Sequence, residues 1–114
     1  MKIGILKEYK TPADNRVVLS PSHCYELQKK YPSISFLVEP SSHRCYKDEA
    51  YKELGIELNS DLSDCDVILG VKEVPKERLL ADKTYFFFSH TIKAQDYNLD
   101  LMKKILSQRI RMID

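Results

Sequence analysis

Two apolar runs of strand length, expected to be buried on both faces, end abruptly in side chains that can move protons. Val67-Ile68-Leu69-Gly70-Val71 runs into Lys72-Glu73, and Tyr85-Phe86-Phe87-Phe88-Ser89 runs into His90. Open α/β sheets carry their chemistry just past the carboxyl ends of parallel strands, so Lys72 and His90 are the first candidates. A lysine in that position can hold a carboxylate or, once desolvated, act as a base. The plainer alternative is a solvated strand-end lysine paired with Glu73. His90 follows an aromatic run and suits a general acid or base, or a ring satisfied by a nearby backbone carbonyl. Arg16 stands between a polar loop and Val17-Val18-Leu19. A guanidinium there fits bidentate capture of a carboxylate, or surface pairing with Asp14. Arg44 is a weaker anion-binding candidate, while His23 and His43 read as structural.

Other chemistries lack their residues. Of the three glycines, Gly4, Gly55 and Gly70, none belongs to a GxGxxG or P-loop pattern, so this segment offers no cradle for a pyrophosphate and no cofactor-binding residue. Cys24, Cys45 and Cys65 have no metal-site spacing, so no metal is expected, and reduced structural thiols in a cytoplasmic protein are the simplest reading. A formal net charge of +1 gives no argument for nucleic acid or an anionic membrane. No apolar run approaches a membrane span, and the apolar stretch at Met1–Lys7 is too short for a signal peptide.

The elements that must position these residues are legible as a single small domain of 114 residues, 43% hydrophobic and 31% charged, which excludes disordered and fibrous classes. Residues 2–6 read as a buried strand, and residues 7–15 as a polar loop. Ser20-Pro21 predicts a helix start, with Ser20 as N-cap, and the helix runs to Tyr31 before Pro32. Strands are predicted at 34–38, 56–58, 67–71, 85–89 and 110–113. A short helix at 48–54 is stopped by Gly55, and residues 75–80 form a short amphipathic piece. A further helix is predicted at 96–108, where Leu99, Met102, Ile105 and Leu106 share a face and Lys103-Lys104 lie on the solvated one. This alternation implies right-handed β-α-β units. The expected fold is α/β: a flavodoxin-like, open, mainly parallel sheet with helices on both faces. An apolar strand just before Asp114 suggests a piece of a longer protein.

Three collinear blocks resemble a known family. Lys2-Ile3-Gly4-Ile5-Leu6-Lys7-Glu8 with Asn15-Arg16-Val17-Val18-Leu19-Ser20-Pro21 is similar to the opening of the alanine dehydrogenase, transhydrogenase and saccharopine dehydrogenase superfamily, and Gly70-Val71-Lys72-Glu73 is a second shared block. The third, Tyr85 to Gln95, resembles the lysine–ketoglutarate reductase (saccharopine dehydrogenase, L-lysine-forming) branch, as does Ile110-Arg111-Met112-Ile113-Asp114. The resemblance implies a substrate-binding, catalytic N-terminal domain over 1–114. It also implies a separate Rossmann domain, outside this chain, that binds NAD or NADP. By position it makes Lys72 and His90 catalytic, Arg16 the ligand of a substrate carboxylate, and Lys72, Asp14 and Glu73 substrate-binding neighbours. The implied reaction joins lysine and 2-oxoglutarate into saccharopine or cleaves it, and the isolated segment is expected to be inactive. The implied partners are these small molecules and the Rossmann domain, with a homo-oligomer left open. Alternatives are an alanine dehydrogenase-type domain and a non-catalytic flavodoxin-like interaction domain.

Overall fold

The computed structural model describes residues 1–9, 14–72, 74–88 and 108–113. Six strands form one sheet: β1 (Lys2–Ile5), β2 (Ser35–Val38), β3 (Glu57–Leu58), β4 (Val67–Lys72), β5 (Thr84–Phe88) and β6 (Arg111–Ile113). Their order is β3-β2-β1-β4-β5-β6 and every pairing is parallel. With the two-residue edge strand β3 set aside, the remaining order is the 2-1-3-4-5 of flavodoxin-like sheets. The direction of winding reverses between β1 and β4, so a crevice opens there beyond the carboxyl ends.

The helices start and stop for local reasons. Helix α1 (Pro21–Lys30) opens where the Ser20 hydroxyl accepts the His23 N–H at 3.2 Å, with Pro21 in the first turn. Helix α2 (Asp48–Glu53) ends in a left-handed Gly55 at φ +75°. There the Gly55 N–H donates to the Lys52 carbonyl and the Ile56 N–H to the Tyr51 carbonyl, a Schellman closure that favours glycine because a Cβ is strained at positive φ. Residues 76–78 form one 3-10 turn.

Strand alternation splits the core into two layers. Ile5, Phe36 and Val38 pack with Cys24 of α1 and with Tyr51 and Ile56 of the α2 region. Leu6, Leu37, Ile68, Tyr85 and Phe87 point to the other face, against Leu62, Cys65, Val74, Leu79 and Ile110. Each large aliphatic side chain buried in this way contributes about 1.5–3 kcal/mol of transfer free energy. Helices cover one face among the described residues; the helix predicted at 96–108 lies outside them except for Gln108.

One expectation needs correcting. Neither apolar run that ends in a candidate residue is buried on both faces. Phe86 is 39% exposed and pairs in register with Ile113, which is also exposed. Val74 and Leu79 of the β4–β5 connection pack on the opposite side of the sheet, as right-handed crossovers in a sheet growing in one direction require. The α1–α2 side of β5 is thereby left open among the described residues.

Candidate functional site

Past its ladder, β1 continues beside β4 through the Leu6 N–H, which donates to the Leu69 carbonyl at 2.9 Å. Two residues later the Glu8 carboxylate, on a residue only 6% exposed, lies against the end of β4. Its Oε2 accepts the Val71 N–H at 3.0 Å and its Oε1 the Lys72 N–H at 2.7 Å. Burial pushes the Glu8 carboxyl above its ordinary value, against the pull of those two donors.

Three of the residues singled out in the sequence meet beside this clamp. Asp14 receives the Arg16 Nε at 3.0 Å, the Arg16 Nη2 at 2.7 Å and the Arg16 backbone N–H at 3.0 Å. The Lys72 ammonium stands 3.6 Å from the same carboxylate. The side chains of Asp14, Arg16 and Lys72 are 8%, 62% and 37% exposed, so one sheltered anion faces two accessible cations. The Arg16 guanidinium holds the Asp14 carboxyl well below the usual carboxylate range, helped by Arg16's backbone N–H and by Lys72. Arg16 is thus paired with Asp14 and still presents most of its side chain to solvent. His90 and Glu73 lie outside the described residues.

A second polar group, unseen in the sequence, lies at the ends of β1 and β2. Buried Glu39 accepts the Lys7 N–H at 3.0 Å and the Tyr9 hydroxyl, and Arg78 donates to that hydroxyl at 2.7 Å while lying 4.9 Å over the Tyr9 ring centre. Burial and the neighbouring Glu39 push the Tyr9 phenol up to about 12. Tyr9, Glu39 and Arg78 line a cavity of about 190 Å³, whose apolar side includes Leu62, Ile68 and Tyr85. No short motif marks the group, because its members come from three separate connections.

Arg44 is excluded as an anion receptor by its partners. Its guanidinium is buried, donates to the Glu39 carbonyl at 2.8 Å and to Asp48 Oδ1 at 2.7 Å, and stacks 4.8 Å from the Tyr51 ring centre. His43 meets the Glu8 backbone carbonyl at 3.2 Å through Nε2. Cys24 and Cys65 are buried free thiols and Cys45 is an exposed one. Among the described residues no three His, Cys, Asp or Glu side chains are grouped to hold a metal, and no helix is long and apolar enough to cross a membrane. The connection from β1 to α1 is long and contains no glycine, and the Glu8 and Glu39 carboxylates are buried just past the ends of β1 and β2.

Residues 4–114 match the family described as alanine dehydrogenase/PNT, N-terminal domain. The chain belongs to that family. Among its relatives, the α-aminoadipic semialdehyde synthase of Arabidopsis thaliana is 43% identical over 98% of this chain, and the mitochondrial α-aminoadipic semialdehyde synthase of Mus musculus is 42% identical over 89%. Alanine dehydrogenase 2 of Staphylococcus aureus is 36% identical over 75% of the chain and 23% of its own length. The chain spans only 11% of the length of the Arabidopsis and mouse proteins. This alanine dehydrogenase/PNT N-terminal domain also superposes on 32% of an L-alanine dehydrogenase structure, with a TM-score of 0.80, 22% identity and 99% of this chain covered. For a transhydrogenase of Sinorhizobium meliloti the TM-score is 0.79 at 16% identity, over 98% of this chain and 34% of that one. Those two likenesses are likenesses of fold.

Proposed function

We propose that this alanine dehydrogenase/PNT N-terminal domain is the substrate-side half of an NAD(P)-dependent oxidoreductase that joins lysine and 2-oxoglutarate into saccharopine, or cleaves it. The observation that carries this reading is the 43% identity, along 98% of the chain, to an α-aminoadipic semialdehyde synthase. α-Aminoadipic semialdehyde is lysine with its ε-carbon turned into an aldehyde. Moving that nitrogen onto a 2-oxo acid passes through a secondary amine, which for 2-oxoglutarate is saccharopine. The reductant, NAD(P)H, would be held by a Rossmann domain outside this chain and would supply the hydride.

The chain's own residues would bind and move protons. Arg16, 62% exposed yet oriented by Asp14, offers its free edge to a substrate carboxylate, and bidentate geometry fixes how the substrate lies. Lys72, at the carboxyl end of β4 and 3.6 Å from Asp14, would exchange a proton with the reacting nitrogen or oxygen. His90 would be the second proton carrier, delivering the proton that lets water leave the carbinolamine. Glu73 completes the group as a neighbour of Lys72.

The test is a substrate comparison on the full-length protein, following oxidation of reduced nicotinamide. Turnover with lysine and 2-oxoglutarate, and none with pyruvate and ammonia, is the expected result. The reverse preference would make this an alanine dehydrogenase-type domain. Absence of turnover with either pair, on folded protein able to bind the cofactor, would leave a non-catalytic interaction domain.

A further inference from the structure

We propose that Glu8 is the positioning residue for Lys72, holding the backbone from which that side chain leaves β4. The inference rests on the reading above, in which Lys72 takes part in the reaction. On one side of β4 the ladder to β1 runs Ile3 to Val67, Gly4 to Ile68 and Ile5 to Leu69, and its last backbone bond is the Leu6 N–H to Leu69. On the other side, pairing with β5 holds as far as Leu69 opposite Phe86, then slips and resumes at Lys72 opposite Phe88. Gly70 and Val71 therefore face the single residue Phe87, which is the count of a β-bulge, a device that turns a side chain out of the regular pleat.

In a regular strand, successive N–H groups point to opposite sides. Here the N–H groups of Val71 and Lys72 converge on one carboxylate, at 3.0 and 2.7 Å. Glu8 thus supplies the acceptors that a continued β1 ladder could not offer to both. The carboxylate is buried, so these charge-assisted bonds are little weakened by water. Gly70 packs closely beneath the clamp, since a Cβ there would sit 3.3 Å from Leu6 Cδ1 and 3.6 Å from Glu8 Oε2. Glu8's own backbone is met by His43 at its carbonyl. Glu8 donates to and accepts from none of the side chains of Asp14, Arg16 and Lys72 in this arrangement. Its charge is felt by Asp14 and Arg16, and its hydrogen bonds run to the main chain of Val71 and Lys72.

The test is a double-mutant cycle in the full-length protein, with kcat and KM measured for lysine and 2-oxoglutarate. Glu8→Gln keeps the side chain's length but turns an NH2 group toward one of the two N–H donors. Displacing Lys72 by about 1 Å is expected to lower kcat about 10²-fold, with the KM for 2-oxoglutarate changed far less, because the hydrogen bonds that orient Arg16 come from Asp14. Lys72→Ala alone is expected to lower kcat by about 10²- to 10⁴-fold. The double variant should be no slower than Lys72→Ala, because a residue that acts only through Lys72 has nothing left to position. Glu8→Asp keeps the charge but is one methylene too short to span both N–H groups; it should lose kcat in the same sense, and it carries the cycle if Glu8→Gln does not fold. Wild-type kcat in both Glu8 variants, or losses that multiply in the double variant, would overturn the proposal. Normal turnover by Lys72→Ala would instead overturn the role of Lys72 itself, and positioning with it. Failure of the wild-type protein to use lysine and 2-oxoglutarate would strike the substrate reading directly.

Discussion

Gly4 sits in the middle of β1, between Leu37 of β2 and Ile68 of β4, and the space its missing side chain leaves is already taken. A Cβ built there meets Cys65 Sγ at 3.0 Å, Leu62 Cδ1 at 3.3 Å and Cys65 Cβ at 3.4 Å. The Leu62 methyl can turn away, but Cys65 is fully buried and short. Gly4→Ala must therefore push Cys65, in the turn before β4, or β1 itself by a few tenths of an ångström. Overpacking of this kind costs about 1–3 kcal/mol, while the alanine returns about 0.4–1 kcal/mol by restricting the unfolded chain. A net loss of about 1–2 kcal/mol is expected. Cys65→Ala alone should cost about 1 kcal/mol, for a void the size of one sulfur. Combined, the new methyl occupies the space the sulfur leaves, so the double variant should be more stable than the sum of the singles by at least about 1 kcal/mol. Urea midpoints under reducing conditions for the four proteins measure this directly. Losses that add within about 0.3 kcal/mol, or a Gly4→Ala protein as stable as wild type, would refute the packing argument. The same displacement would shift β1, the strand that delivers Glu8 to β4.

The two carboxylates near Lys72 should give opposite pH signatures. Asp14 titrates below its ordinary value because of Arg16, so its contribution to stability is complete above about pH 4 and fades as the pH falls toward its lower folded value. Glu8 titrates above its ordinary value because of burial, so its contribution is complete below about pH 4 and is lost as the pH rises through the raised value. The Tm difference between wild type and Asp14→Asn should shrink toward acid, and that between wild type and Glu8→Gln should shrink toward neutrality; parallel trends would contradict these assignments. In a third prediction, Tyr51→Phe removes a buried hydroxyl that donates to the Leu19 carbonyl at 2.8 Å, tying α2 to the residue before the α1 cap. Its loss should cost about 1–2 kcal/mol, and an unchanged unfolding midpoint would show that water replaces the bond.

What the sequence determined by itself is what depends on near neighbours. The Ser20 cap, the start of α1 at Pro21, the stop at Gly55 and the strands around residues 2–5, 35–38 and 67–72 follow from side chains within a turn or two of the backbone they control. Their order then implies a parallel sheet, because consecutive β-α-β units have one favoured hand. Strand-end position by itself also marks Lys72 as a candidate. Tertiary structure decided whatever joins distant segments. Glu8 and Lys72 are 64 residues apart, and Arg78 reaches Tyr9 across 69, so no local pattern records either contact. Arg44 sits in a polar stretch that suggested exposure, yet Glu39, Asp48 and Tyr51 close around it. Phe86 sits in an aromatic run that suggested burial, yet it is 39% exposed and its face is left open among the described residues. Local sequence sets which residues end a strand; the packing of strands and connections sets which of those ends meet, and how much water remains between them.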